Sequence, residues 1–464
     1  MTSTPSTEHV GLARVLGPAH VWALGVGIVL VGEYMGWNFA VGKGGAYAAL
    51  MACWFAGILY TCVAMIDSEV TSTVAAAGGQ YTQAKHIVGP LMAFNVGLYL
   101  VFAYTMLEAA NAITVGFLID TVAIMSGHSG GVDQRPFIIL AIMFLAWLNY
   151  RGVLATLTFN LVITAFAFTA VITLFLATSG IFTPSPLMHE ALMSGQAALP
   201  YGSLGILAAM HFGLWYYLGI EGTTQAAEEV RSPARSLPFG TLAGVMTLAI
   251  AATLTWYVCS GLMPWEYLGQ AGVPLFDAAR LSGSSLLMVF LGIGTLFATL
   301  ASANGCINDA SRAWFAMGRD RYLPGWFGAV HPRYRTPYRA IIFLVPIALI
   351  FALGAPIDQV ITFSILSGLL GYTFMPLNII QFRRKWPLDS IARGYVHPFH
   401  PIPAIAMLLL CGTTFFAVFL GYGTQLVAMI SFYIVVSLWF HFWRYRFVNR
   451  GAQFTMPWPK PRGY

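Results

Sequence analysis

Charge is scarce in this 464-residue chain: Asp, Glu, Lys and Arg make up 9% of it, where soluble domains carry roughly 25%. With 58% hydrophobic residues and a positive mean hydropathy, that deficit excludes a water-soluble globular fold and implies an integral membrane protein. Cysteine is sparse and odd in number, and Cys53, Cys62, Cys259, Cys306 and Cys411 all fall inside apolar runs. They read as small packing residues with no disulfide framework and no metal spacing. The ten histidines are dispersed, mostly near loops, and form no ligand pair on a helix. No G-x-x-x-x-G-K-[ST] loop occurs, which argues against an ATP-driven pump, and the lack of a nucleophile motif or cofactor loop argues against an enzyme. No metal and no cofactor are expected.

What is abundant is apolar sequence in long runs. Twelve spans of roughly 17 to 25 residues, the length that crosses about 30 Å of hydrocarbon as helix, are expected at 19–41, 46–68, 90–119, 135–150, 153–179, 203–226, 239–262, 284–311, 339–354, 357–380, 402–421 and 425–443. The fourth and ninth are short. The polar breaks between spans leave room for one membrane domain, 19–443, with tails at 1–18 and 444–464 and no soluble appendage. The stretch Met1–Ala19 is polar, carries Arg14 and leads into a full span without a small-residue cleavage site, so no removable signal peptide is expected. Placing the N-terminus in the cytoplasm leaves Lys43, Arg135 and Arg280 outside and the other 20 of the 23 basic residues inside. That bias predicts a multi-pass protein of the cell membrane with both termini cytoplasmic. The net charge of +6 then belongs to loops facing anionic lipid, and no nucleic-acid partner is needed to explain it.

Two spans carry glutamates between glycines at mid-length: Gly32-Glu33-Tyr34-Met35-Gly36 in the first and Gly219-Ile220-Glu221-Gly222 in the sixth. Hydrocarbon offers no water to unpaired backbone groups, so a broken helix survives there only beside a protein-enclosed cavity, and a carboxylate at that depth must be paired or used. Breaks in spans 1 and 6 are what a five-plus-five inverted repeat produces, 19–180 against 203–380, with spans 11 and 12 at 402–443 outside it. The pattern implies a secondary transporter. Carbonyl ends at the breaks, with Glu33 and Glu221 beside them, favour a cationic solute or a proton. The alternative is that the glycines only allow close helix packing.

Four regions together resemble the amino acid-polyamine-organocation superfamily, most closely its ethanolamine permease branch. They are Gly25-Val26-Gly27 through Gly36-Trp37-Asn38-Phe39; Ala77-Gly78-Gly79-Gln80-Tyr81 with Gly89-Pro90; Trp215-Tyr216-Tyr217-Leu218-Gly219-Ile220-Glu221-Gly222 with Ala227-Glu228-Glu229-Val230 and Pro233; and Ala310-Ser311-Arg312 to Gly318-Arg319-Asp320 with Leu323-Pro324, His331 and Thr336-Pro337. The resemblance implies an all-α membrane protein of the LeuT-like fold, twelve helices with helices 1 and 6 broken, working by alternating access. It places substrate near Gly32 to Asn38, span 3 and Trp215 to Gly222.

In amino acid members of that superfamily, small residues follow the second glycine of span 1 and offer amides to the substrate carboxylate. Here Trp37 and Asn38 stand there, and an indole crowds such a cradle. The expected substrate is therefore a small cationic amine such as ethanolamine, with an α-amino acid, diamine or guanidinium compound as the alternative. Glu108 in span 3 departs from the ethanolamine branch and adds a third intramembrane carboxylate, which holds an amine, accepts a proton, or merely pairs with Asn111 on the same helical face. Trp215 and Tyr216 are expected to close over the substrate, where a cation on the ring face gains roughly 0.5 to 2 kcal/mol; core packing is the alternative. Asn304 and Ser302 in span 8 either line the cavity or make helix–helix hydrogen bonds. Asp309 with Arg312, and Glu228 with Arg231, read as cytoplasmic ion pairs. Coupling is expected to use a proton at Glu221, Glu33 or Glu108, with a sodium ion on the carbonyls of Gly27–Val31 and span 8 oxygens left open. A channel or a membrane sensor is the more distant rival.

Overall fold

The computed structural model describes residues 14–73, 75–128, 130–179 and 199–448. Most of both tails and of the connection between spans 5 and 6 lie outside these. Among the described residues all regular structure is helical, apart from one isolated bridge between Leu16 and Val230. Nine helices among the described residues are long and apolar enough to cross a membrane. Two more, Arg135–Arg151 and Tyr338–Gly354, have 17 residues each, or about 26 Å at 1.5 Å per residue; these are the spans expected to be short. The longest helix, Ile402–Phe442, is two segments meeting at Tyr422, whose φ of −137° and ψ of 37° leave the helical region. The result is twelve crossings.

Span 1 is Pro18–Met35 continued by Trp37–Gly44, span 2 Ala46–Thr73, span 3 Pro90–Met125, span 5 Val153–Thr178, span 7 Pro233–Leu262, span 8 Ser285–Arg319 and span 10 Ile357–Lys385. Several of these begin at a proline, which lacks the amide that a first helical turn would leave unpaired. Spans 2, 3 and 8 run past the expected limits because their ends continue beyond the apolar run. Span 1 is at the centre: every residue from Ala23 to Met35 is buried, and a helix apolar all round is one surrounded by protein. Spans 11 and 12 take the lipid-facing role, with Leu409 68%, Phe419 59% and Val435 64% exposed.

The two breaks differ. In span 1 the backbone ladder reaches Gly36 N–H to Gly32 O at 2.8 Å and resumes with Ala40 N–H to Gly36 O at 3.4 Å. The interruption is one turn centred on Gly36, so Gly32 and Glu33 sit inside the helix, not in an unwound stretch. Span 6 is broken over a longer stretch. Its α-helix, Gly202–Gly213, ends well short of the expected 226, and tight 3-10 turns at Leu214–Tyr216 and Ile220–Thr224 flank Gly219 at φ 114°. A Cβ on Gly219 would lie 2.3 Å from Ile28 Cγ2, and one on Gly32 would lie 2.8 Å from the Trp215 carbonyl oxygen. The packing reading of these glycines is therefore correct as far as it goes: they let spans 1 and 6 touch backbone to side chain.

The strand-like segment before span 1 is tied to the end of the span 6 region. The amides of Val15 and Leu16 donate to Glu229 O at 2.9 and 3.0 Å, and Arg231 N–H donates to Leu16 O at 3.0 Å. This is the face that gathers most of the arginines, called the basic face below.

Candidate transport site

Among the described residues, five carboxyl groups lie deep in the bundle without an ion-pair partner: Glu33, Asp67, Glu108, Glu221 and Asp309, all buried. The structure does not bring them into one pocket. Glu221, held by the span 6 break, accepts from the Tyr372 hydroxyl of span 10 at 2.7 Å and from the Gly219 amide at 3.3 Å. Tyr60 of span 2 donates in turn to the Tyr372 hydroxyl at 3.0 Å. Asp309 of span 8 presses against the same break, since a Cβ on Gly222 would come within 1.8 Å of its Oδ2. Any side chain at position 222 would collide with that carboxylate.

Glu108 faces span 8, where the Cys306 thiol is within electrostatic reach of Asp309, Glu108 and Glu221. Its Oε1 is buried with no hydrogen-bond partner. Asn111 does not orient it, as the shared helical face suggested; the Asn111 amide donates to Ser302 Oγ at 2.7 Å, and Ser302 donates to the Ile28 carbonyl. Spacing along a helix puts two groups on one face but does not decide which neighbouring helix competes for them. Asn304 leaves the expected substrate set altogether. Its side-chain oxygen accepts from Asn149 of span 4 at 2.8 Å, and its amide reaches Thr156 O and Asn160 Oδ1 of span 5, each at 3.3 Å. It is a helix–helix tie, and intramembrane amides serve that purpose well because no water competes.

Glu33 points the other way, toward spans 2 and 7. Thr255 of span 7 donates to its Oε2 at 3.4 Å, while Oε1 has no partner. Trp37, fully buried, donates its indole N–H to the same Thr255 at 2.9 Å and stacks on Tyr216 with centroids 4.3 Å apart. Tyr216 is thus pinned beneath Trp37 and does not close over an open pocket. The Phe39 amide, freed by the bend at Gly36, is taken by Asn38 Oδ1 at 2.8 Å, and the Asn38 amide donates to Ala271 O at 2.7 Å.

Access differs between the two faces. On the face opposite the arginines, a cavity of about 290 Å³ is lined by Met35, Asn38, Phe39, Phe117, Asp120 and Trp215 together with the 270–273 segment. Trp215 is 2% exposed and its indole N–H has no partner, so it floors this vestibule above the buried carboxyls. The basic face is shut. Arg312 makes a two-pronged pair with Glu229, both buried, with its nearest contact at 2.8 Å; Arg319 pairs with Glu228 at 3.3 Å; Lys85 pairs with Asp320 at 2.8 Å. Burial lowers the Lys85 ammonium from its usual range, partly offset by Asp320. These pairs correct the sequence expectation: Asp309 is not the partner of Arg312 but accepts from Asn308 at 2.9 Å, and Glu228 meets Arg319 and the Ala77 amide, not Arg231. Pairing i with i+3 was the only choice visible in one dimension, and the long-range partner won.

Sequence reasoning missed Asp67, Thr255 and Tyr372. Asp67 sat at the end of an apolar run and passed for a boundary residue, although a carboxylate there already carried the signal that intramembrane charge gives. The hydroxyls of Thr255 and Tyr372 have no such signal.

A family model described as amino acid permease matches residues 19–454. An uncharacterized transporter of Rhizobium meliloti (strain 1021) is 77% identical over 463 residues, covering 100% of this chain and 99% of the relative. The methylthioribose transporter of Bacillus subtilis (strain 168) is 23% identical and covers 94% of each chain. A vacuolar cationic amino acid transporter 4 of Arabidopsis thaliana is 25% identical, covering 80% of this chain and 64% of the relative. With twelve crossings, helices 1 and 6 both interrupted and a match across nearly its whole length, the chain belongs to the amino acid permease family of the amino acid-polyamine-organocation superfamily, membrane transporters of amino acids and related organic solutes.

Proposed function

We propose that this permease imports a small organic amine of the ethanolamine type together with a proton, with the basic face in the cytoplasm. The observation that carries the reading is a surplus of buried acceptors: Glu33 Oε1, Glu108 Oε1, Asn111 Oδ1 and Asp309 Oδ2 have no partner among the described residues, and none of these carboxyls forms an ion pair there with a basic side chain. Unpaired acceptors in a dry interior cost several kcal/mol unless a donor or a proton arrives, and an ammonium group brings three N–H donors and a positive charge. Glu108 is the amine subsite in this reading, Trp215 the aromatic group at its entrance, and Glu221 the proton carrier. The Asn38 cap on the Phe39 amide and the Trp37 indole both count against a carboxylate cradle at span 1.

The proton is preferred to sodium because Ile28 O, in the middle of the span 1 carbonyls that a sodium ion would use, already accepts from Ser302 of span 8. A second reading, a diamine or cationic amino acid, draws support from the separation of Glu33 and Glu108 onto two faces of the centre and from the name of the Arabidopsis relative. Thermal-shift titration of the purified protein with ethanolamine, putrescine, agmatine, arginine, alanine and glutamate tests substrate class. Stabilisation by amines without a carboxylate is expected; a response to alanine and glutamate alone would overturn the amine reading. Uptake into vesicles under an imposed pH gradient, then a sodium gradient, tests coupling, and indifference to the first would remove the proton.

A further inference from the structure

A file of polar side chains runs from the span 6 break toward the basic face, and Asp67 is its centre. Asp67 is fully buried in span 2. Its two oxygens accept from Gln80 Nε2 at 2.9 Å and Gln83 Nε2 at 2.6 Å, both from the short helix Gly79–Ile87 that follows span 2. Both donors are neutral amides, so no cation compensates the charge. On the midplane side, Asp67 lies within reach of the Thr224 hydroxyl and of the field of Glu221. Thr224 itself donates to the Glu221 main-chain carbonyl at 2.8 Å.

Span 10 runs alongside this file. Tyr372 holds Glu221, Met375 meets Gln80 at 3.4 Å one turn on, and Asn378 donates to Gln83 Oε1 at 3.0 Å after a further turn. Polar atoms along the file are left buried and unpartnered: Asn378 Oδ1, and both ends of Gln225, whose Nε2 would lie 3.0 Å from a Cβ on Gly79. Unpaired donors and acceptors of this kind are where a buried water would find its hydrogen bonds. The charged groups nearest the file are Glu221 and Asp309 at its inner end and, two residues beyond Asp67, Glu69, which is paired with Arg383 and Arg393 and contacts His397. Tyr372, Tyr60 and, from span 3, Tyr104 are the titratable hydroxyls that face it at the Glu221 end.

We propose that Asp67 is a second proton-carrying carboxyl, the station through which Glu221 passes its proton to the basic face after substrate has left. This rests on the proton-coupled reading above and extends it. The step conserves the proton: the Glu221 carboxylic acid gives its proton to a water held at the Thr224 hydroxyl oxygen, and that water releases one to the Asp67 carboxylate, leaving Glu221 ionised and Asp67 neutral. Asp67 then loses the proton to water entering past Gln83 and Asn378 when the basic face opens.

The test uses the full chain in proteoliposomes with the membrane potential clamped, reading uptake of radiolabelled ethanolamine, putrescine and arginine together with lumenal pH. Each co-transported proton makes a one-unit pH gradient worth about tenfold accumulation. For the wild type, accumulation driven by the pH gradient and lumenal acidification on adding substrate are expected. D67N should retain thermal stabilisation by substrate and substrate-for-substrate exchange, yet lose both proton readouts, and D67E should restore them. T224V, which keeps the carboxyl and removes only the hydroxyl, should slow proton-driven uptake while sparing exchange, and it serves should D67N fail to fold. Proton-driven accumulation by D67N equal to wild type, or by T224V at an undiminished rate, overturns the role of Asp67. A wild type that ignores the pH gradient would instead overturn the proton-coupled reading itself.

Discussion

At the scale of single residues, the decisive property is whether a buried polar atom has a partner. Glu108 has an oxygen without one, so a ligand amine is expected to complete it. Removing one member of a buried hydrogen-bonded charge pair costs at least about 2 kcal/mol, or roughly 30-fold in affinity. Glu108→Gln should weaken amine binding by that order in calorimetric titration while leaving the melting temperature nearly unchanged; unaltered affinity would remove Glu108 from the site. Glu69 illustrates the opposite case. Its carboxylate, fully buried, accepts from Arg383 Nη2 and His397 Nδ1, each at 2.6 Å, and pairs with Arg393. Glu69→Ala leaves two guanidinium groups without their anion, a change that costs about 3 to 5 kcal/mol in buried pairs. A large drop in melting temperature is expected, with substrate affinity in the surviving protein preserved.

At the scale of elements, the glycines of the broken spans set the distance between helices 1 and 6. Gly219 combines a left-handed φ of 114° with Ile28 at 2.3 Å from the position of a Cβ. Gly219→Ala is expected to abolish uptake and lower the melting temperature. Pairing it with Ile28→Ala should recover only part of the loss, because making room does not remove the backbone strain, roughly 1 to 2 kcal/mol for a left-handed residue with a Cβ. Full recovery in the double variant, read by uptake and thermal melting, would show that steric contact alone requires the glycine. The glycine pairs were plain in the sequence, and so was the existence of a break in each span. The extent of each break was not. Gly36 bends span 1 for one turn because Asn38 caps the freed Phe39 amide, whereas span 6 tightens into 3-10 turns for most of Leu214–Thr224. Which amides find substitute partners depends on side chains arriving from elsewhere, and local propensity carries no trace of them.

At the scale of the whole molecule, the two faces are closed by different means. One vestibule reaches down to Trp215, while the basic face is locked by Arg312 with Glu229 and by the Leu16 to Val230 bridge. The Arg312 pair holds the segment before span 1 against the end of the span 6 region, since the Glu229 carbonyl also receives the amides of Val15 and Leu16. Glu229→Gln should loosen that lock. Faster amide hydrogen exchange at Val15, Leu16 and Arg231 is expected, and unchanged protection there would mean that the pair is not part of a gate.

Twelve crossings, the interrupted first and sixth helices and the strong bias of basic residues to one side were legible in the sequence. They follow from the cost of exposing backbone and charge to hydrocarbon, and that cost acts on each short stretch of chain wherever the stretch lies in the fold. The partners were settled only in three dimensions: Arg312 with Glu229 and not Asp309, Asn111 with Ser302 and not Glu108, Asn304 with span 4 and not a cavity, Asp67 with Gln80 and Gln83. A buried polar group binds whichever donor or acceptor the packed helices set within about 3 Å. Which group that is depends on how distant spans rotate and stack against each other, information that no local window of sequence contains.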